Sequence, residues 1–139
     1  MEKQHALQQL EQLQKKLYAI HYACSAMNLD ADTVAPKNTS EGRGVALGVL
    51  AGEEQQLMIC PETRALLDEL DRQKDELDLL HRREVEELRR RCDQLTRIPA
   101  EEYIAYSELV NKAGDVWHKA KEKDDFAMFC PLLQELVEY

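Results

Sequence analysis

At 139 residues the chain is long enough to bury a working core, and its composition, 44% hydrophobic and 32% charged, is that of a helix-rich soluble protein. A net charge of −9 argues against nucleic acid and against an anionic membrane surface, because both demand a basic face. The acidic residues are spread along the chain and form no tail, which is the pattern of a solvated surface.

No stretch reaches the roughly 18–20 apolar residues of a membrane span. The start, MEKQHALQQLEQLQKK, lacks the apolar core of a signal peptide. The expected location is the cytoplasm, with no membrane and no nucleic acid as partner. Cys24, Cys60, Cys92 and Cys130 are widely spaced and make no CxxC pair, so neither a zinc knuckle nor a thioredoxin-type site is indicated. In a reducing compartment they are expected as free thiols.

The first helix is predicted from about Lys3 to Asn28. Ala6, Leu10, Leu13, Leu17, Ile20, Cys24 and Met27 follow alternating four- and three-residue spacing and fall on one stripe. Such a stripe serves a coiled-coil seam or the buried face of a bundle helix, and a seam that ends in Cys and Met favours the bundle. A polar loop follows near residues 28–40, where Asp30, Asp32, Pro36, Asn38 and Ser40 are turn formers. Thr39 or Ser40 then offers an N-cap.

The second helix, about Ser40 to Met58, carries Gly44, Gly48 and Gly52 at four-residue spacing. Each glycine costs about 1 kcal/mol relative to alanine inside a helix. Close approach of another helix on a glycine face is the physical compensation to expect. Pro61 opens a third helix, PETRALLDELDRQ, and the polar run from Asp71 to Glu76 hints at a break. The fourth helix is predicted over about Glu76 to Arg97, with Leu77, Leu80, Val85, Leu88, Cys92 and Leu95 inward. Pro99 ends it.

A fifth helix over about Ala100 to Lys123 presents Ile104, Leu109, Val110, Ala113, Val116, Trp117 and Ala120 on a broad apolar face. Asp124 and Asp125 are expected as the stop and the next cap, Phe126 and Phe129 are expected to anchor the turn, and Pro131 restarts a helix at PLLQELVEY. Trp117 is expected as a core anchor, with the stem of Lys121 over its ring. The chain stops about two turns into that last helix, as expected of a segment of a longer protein. The fold class is all-α, a bundle of five to six helices, with residues 1–139 as a single helical domain or fragment.

No self-sufficient catalytic constellation is visible. A zinc peptidase of the commonest kind needs two histidines one turn apart with a glutamate beside the first. His5, His21, His81 and His118 include no such pair. His81 and Glu84 share a helix face, but a di-metal bundle needs a matching pair elsewhere. Cys60-Pro61 and Cys130-Pro131 each put a thiol at a helix start, without a visible base or resolving cysteine. Catalytic, cofactor-binding and metal residues are therefore all expected to be absent from this chain.

Three stretches together resemble the N-terminal part of the thermostable carboxypeptidase (Taq) family of metallocarboxypeptidases. YAIHYACSAMNLDADTVAP is similar to the family's first motif region, with Asp30, Thr33 and Pro36 in register. SEGRGVALGVLAGEEQQLM is similar to the helix that follows, with Arg43 in register. RIPAEEYIAYSELVNKAGDVWHKAKEKDDFAMFCPLLQELVEY carries the most specific match, at Trp117, Lys121, Asp125, Phe126, Phe129 and Pro131. Leu29, Ala35 and Lys37 depart from the tryptophan, methionine and second proline that the family has there.

The resemblance implies a helical region beside the substrate groove, forming its wall or lid. In a full-length relative it implies zinc, or another divalent metal, held further along the chain, and removal of C-terminal residues from peptides. Alone, the chain would be inactive. Its expected partners are the missing catalytic region or a second copy in a homodimer, with peptide substrate only in the full-length context. The alternative is a stand-alone interaction module without activity, dimerising through the first-helix seam or the glycine face.

Overall fold

Caps and prolines, more than hydrophobic pattern, decide where each helix of this chain stops. The structure, a computed structural model, describes residues 3–36 and 38–139. Six helices account for most of it: α1 Lys3–Thr33, α2 Ser40–Ile59, α3 Pro61–Arg72, α4 Leu79–Leu95, α5 Ala100–Glu122 and α6 Cys130–Glu138. Short 3-10 turns occupy Lys74–Glu76 and Phe126–Met128, and no strand occurs among the described residues. The all-α class, the long first helix and the helix count agree with the sequence reading.

The polar loop is shorter than predicted, because α1 continues past Asn28 to Thr33. Its polar end satisfies the backbone instead of leaving it. The amides of Val34 and Ala35 both donate to the Asp30 carbonyl, at 3.0 and 2.8 Å, and Thr33 Oγ1 donates to the Leu29 carbonyl at 2.6 Å. Pro36 forbids another turn. Thr39 Oγ1 then donates back to the Pro36 carbonyl at 2.9 Å, and Asn38 takes φ 69°. Lys37 lies outside the described residues.

α4 starts at Leu79, later than the predicted Glu76, because Asp78 is its N-cap and accepts the His81 amide at 3.0 Å. Leu77 is buried, whereas Leu80, expected inward, is 66% exposed. α5 ends in a Schellman motif. Asp125 N donates to the Ala120 carbonyl at 2.9 Å and Asp124 N to the Lys121 carbonyl at 3.3 Å. Asp124 takes the left-handed conformation, φ 52°, that this motif requires.

The chain divides into two compact units, Met1–Tyr22 with Glu53–Pro99 and Ala23–Gly52 with Ala100–Tyr139. In the first, Ala6 and Leu10 of α1 meet Leu66 and Leu70 of α3, Leu77, and Val85 of α4. The predicted stripe of α1 is buried at Ala6, Leu10, Leu13 and Leu17 and half-buried at Ile20, Cys24 and Met27. Gln55 of α2 is fully buried, and its amide donates to the carbonyls of Leu95 and Ile98 at 3.2 and 2.8 Å, closing the end of α4.

In the second unit, Leu109 and Ala113 of α5 pack with Leu132 of α6, flanked by Val116, Phe129 and Leu136. Phe129 anchors the turn before α6 as expected. Phe126 does not: it is 64% exposed, because the 3-10 turn it opens points its ring outward with only an edge contact to Phe129 at 6.2 Å.

Candidate functional site

The ten residues singled out by family resemblance all fall in the second unit, on α1, the loop after it, α2, α5, the turn into α6 and the start of α6. The glycine stripe of α2 organises this unit. A Cβ built on Gly44 would stand 3.0 Å from Asn111 Nδ2, on Gly48 2.9 Å from Glu108 Oε1, and on Gly52 2.9 Å from Ile104 Cδ1. As residue number rises along α2 it falls along α5, so the two helices run antiparallel. The expected close approach on the glycine face is present, and its partner is α5.

Asn111 ties this junction together. Its Oδ1 accepts Arg43 Nε at 3.1 Å, and its Nδ2 donates to the Ser40 carbonyl at 3.0 Å. A cleft of about 450 Å³ opens here, lined by Ser40, Glu41, Val45, Glu108 and Lys112 beside Asn111. Sequence reasoning singled out Arg43 but missed Asn111. The available signal was geometric: Ile104, Glu108 and Asn111 share a face one helical turn apart, matching the glycine period.

The other family-matching residues stand apart from this cleft. Asp30 and Pro36 act through their carbonyls, and Thr33 through its hydroxyl, at the end of α1. Trp117 is 42% exposed, which corrects the expectation of a core anchor: α5 turns the stripe of Leu109, Ala113 and Ala120 inward and leaves the indole at its margin. Lys121 does reach over the ring, Nζ 5.1 Å from the centroid, and His118 meets its edge at 5.0 Å. Asp125 makes no side-chain cap. Pro131 opens α6.

Three histidine–carboxylate pairs are the nearest thing to metal-binding geometry. His118 Nε2 stands 3.1 Å from Asp32 Oδ1, His21 Nε2 3.0 Å from Glu54 Oε1, and His81 Nδ1 2.6 Å from Asp78 Oδ2. His81 thus engages Asp78, three residues before it, where sequence had paired it with Glu84. Glu54 is buried and also accepts Arg91, whose positive charge opposes a second cation there. No group of three His, Cys, Asp or Glu able to hold a metal occurs among the described residues. The three described pairs, each with one histidine and one carboxylate, do not by themselves fit a catalytic metal.

The Asp78 carboxyl lies below its usual value because the His81 amide, then the His81 ring, hydrogen-bonds its charged form. In the first unit a groove between α1 and α3 carries His5, Gln8, Gln12, Cys60 and Glu62. The Cys60 thiol in it is engaged locally, with Sγ 3.4 Å from the Leu57 carbonyl and 3.3 Å from Thr63 Oγ1.

The model of the carboxypeptidase Taq (M32) metallopeptidase family matches residues 9–139. The chain belongs to this family. Carboxypeptidase 1 of Bacillus subtilis is 34% identical over 121 residues, which are 86% of this chain and 24% of that protein. Thermostable carboxypeptidase 1 of Pyrococcus furiosus is 29% identical over 123 residues, 88% of this chain and 24% of that protein. The crystal structure of BsuCP matches with a TM-score of 0.91 at 30% identity, covering 96% of this chain and 27% of that one. The chain therefore spans about a quarter of the length of the family members it matches.

Proposed function

We propose that this chain is the N-terminal helical region of a metallocarboxypeptidase, forming a wall or lid of the groove in which C-terminal residues are removed from peptides. The observation that carries the reading is the family match over residues 9–139, in a chain spanning a quarter of its relatives. Zinc, or another divalent metal, would be held by residues outside this chain. Here the polypeptide's work is mechanical: the glycine contact of α2 with α5 and the Asn111 bridge fix a helical wall.

The test is release of C-terminal amino acids from short peptides by the 139-residue chain with added zinc. The expected result is none; sustained turnover would show that a site was overlooked. The second reading is a self-associating module that would use the first-helix seam or the glycine face, and light scattering across concentrations tests it. Ala6, Leu10, Leu13 and Leu17 are buried, and the glycine face meets α5. A cytoplasmic location is also proposed, on the charge of −9 and four cysteines without a disulfide. No helix among the described residues is long and apolar enough to cross a membrane.

A further inference from the structure

α5 has two apolar stripes, and one of them is left largely exposed. Leu109, Ala113 and Ala120 are buried. The adjacent stripe runs Tyr106, Val110, Gly114, Trp117 at spacings of four, four and three, so all four residues lie within one face. Tyr106, Val110 and Trp117 are 42%, 46% and 42% exposed. At the edge of this face the Tyr106 ring meets Tyr139 at 5.5 Å.

Gly114 adds an independent observation. Gly44, Gly48 and Gly52 of α2 each lack a Cβ because a side chain of α5 stands where it would be, whereas a Cβ on Gly114 would meet nothing within 4 Å. A glycine in mid-helix with open space around it has no local reason to be there. It has one if another helix crosses closely at that point, with Val110 and Trp117 on either side of the crossing.

We propose that the Tyr106–Val110–Gly114–Trp117 face is a docking surface for a helix from the remaining polypeptide of a family metallopeptidase. The occupant follows from length. Relatives of which this chain spans 24% carry about three quarters of their polypeptide outside the matched stretch, and that polypeptide must bury part of itself against this region. The inference rests on the metallocarboxypeptidase reading and specifies which face of the region meets the rest.

The experiment joins this chain, in place of the matching quarter, to the remainder of the Bacillus subtilis carboxypeptidase. Val110→Cys is labelled with a maleimide in the isolated chain and in the joined protein, and the modified peptide is quantified by mass spectrometry. Labelling is expected to slow about tenfold or more on joining. Gly114→Phe is expected to leave the melting temperature of the isolated chain near its starting value but to lower that of the joined protein.

Equal labelling in both contexts, or a joined protein that accepts Gly114→Phe as readily as the isolated chain, would overturn the surface. So would a joined protein without a cooperative melt. Labelling that slows in the isolated chain as its concentration rises would identify a second copy as the occupant and overturn the assignment. Peptidase activity is read separately. An active joined protein with a freely labelled Val110→Cys sinks the surface and spares the functional reading; protection without activity does the reverse.

Discussion

Asp78 concentrates several consequences in one side chain. Its carboxylate caps α4 through the His81 amide and pairs with the His81 ring, and its pKa is lowered as a result. A carboxyl whose folded pKa is depressed contributes stability that is present above its unfolded value, about 4, and lost as pH falls through the lower folded value. Asp78→Ala should lower the melting temperature at pH 7, and its difference from the wild-type chain should shrink as pH falls toward 2. A melt series by circular dichroism checks both statements. At the far end of α5, Asp124 occupies a left-handed position that glycine accepts without a Cβ clash. Asp124→Gly should therefore raise stability by about 1 kcal/mol in urea titrations.

Glycine separates the helices into those whose surfaces are spent and those with surface to spare. Gly114→Ala adds a Cβ to open space and should stabilise the isolated chain by about 1 kcal/mol through helix propensity alone. Gly52→Ala makes the same propensity gain but sets its Cβ 2.9 Å from Cδ1 and 3.2 Å from Cγ1 of Ile104. A β-branched side chain has few rotamers with which to yield. The net effect at Gly52 should be a loss of about 1 kcal/mol, so the two variants move the urea midpoint in opposite directions. Gln55 is itself buried and holds the end of α4 by donating to the Leu95 carbonyl, in a buried place, and to the Ile98 carbonyl. Gln55→Ala should cost about 2–3 kcal/mol, a loss that denaturant titration resolves easily.

For the whole molecule, the proposal that a metal would be held outside this chain predicts that zinc leaves its melting temperature unchanged, since a ligand that binds the folded state would raise it. Helix number, fold class and most of the first core were legible in the sequence because periodicity and proline are local signals: the stripe of Ala6, Leu10, Leu13 and Leu17 sits inside as its spacing requires. The family, too, was legible, because Trp117, Asp125 and Phe129 recur at fixed spacing whatever they contact. Their surroundings were not. Trp117 and Phe126 look like core residues on hydrophobicity alone, yet Trp117 falls beside the stripe of α5 that packs on α6, and Phe126 is exposed in the 3-10 turn that follows. Asn111 and Gln55 carry no motif, since a polar side chain becomes a bridge only when folding sets another helix's backbone within reach. Sequence by itself determined which segments are helical and which family they came from, through short-range preferences and spacing. Tertiary structure alone decided that the glycines of α2 face Ile104, Glu108 and Asn111, and that Gly114 faces nothing, because neighbours distant in the chain are chosen by packing.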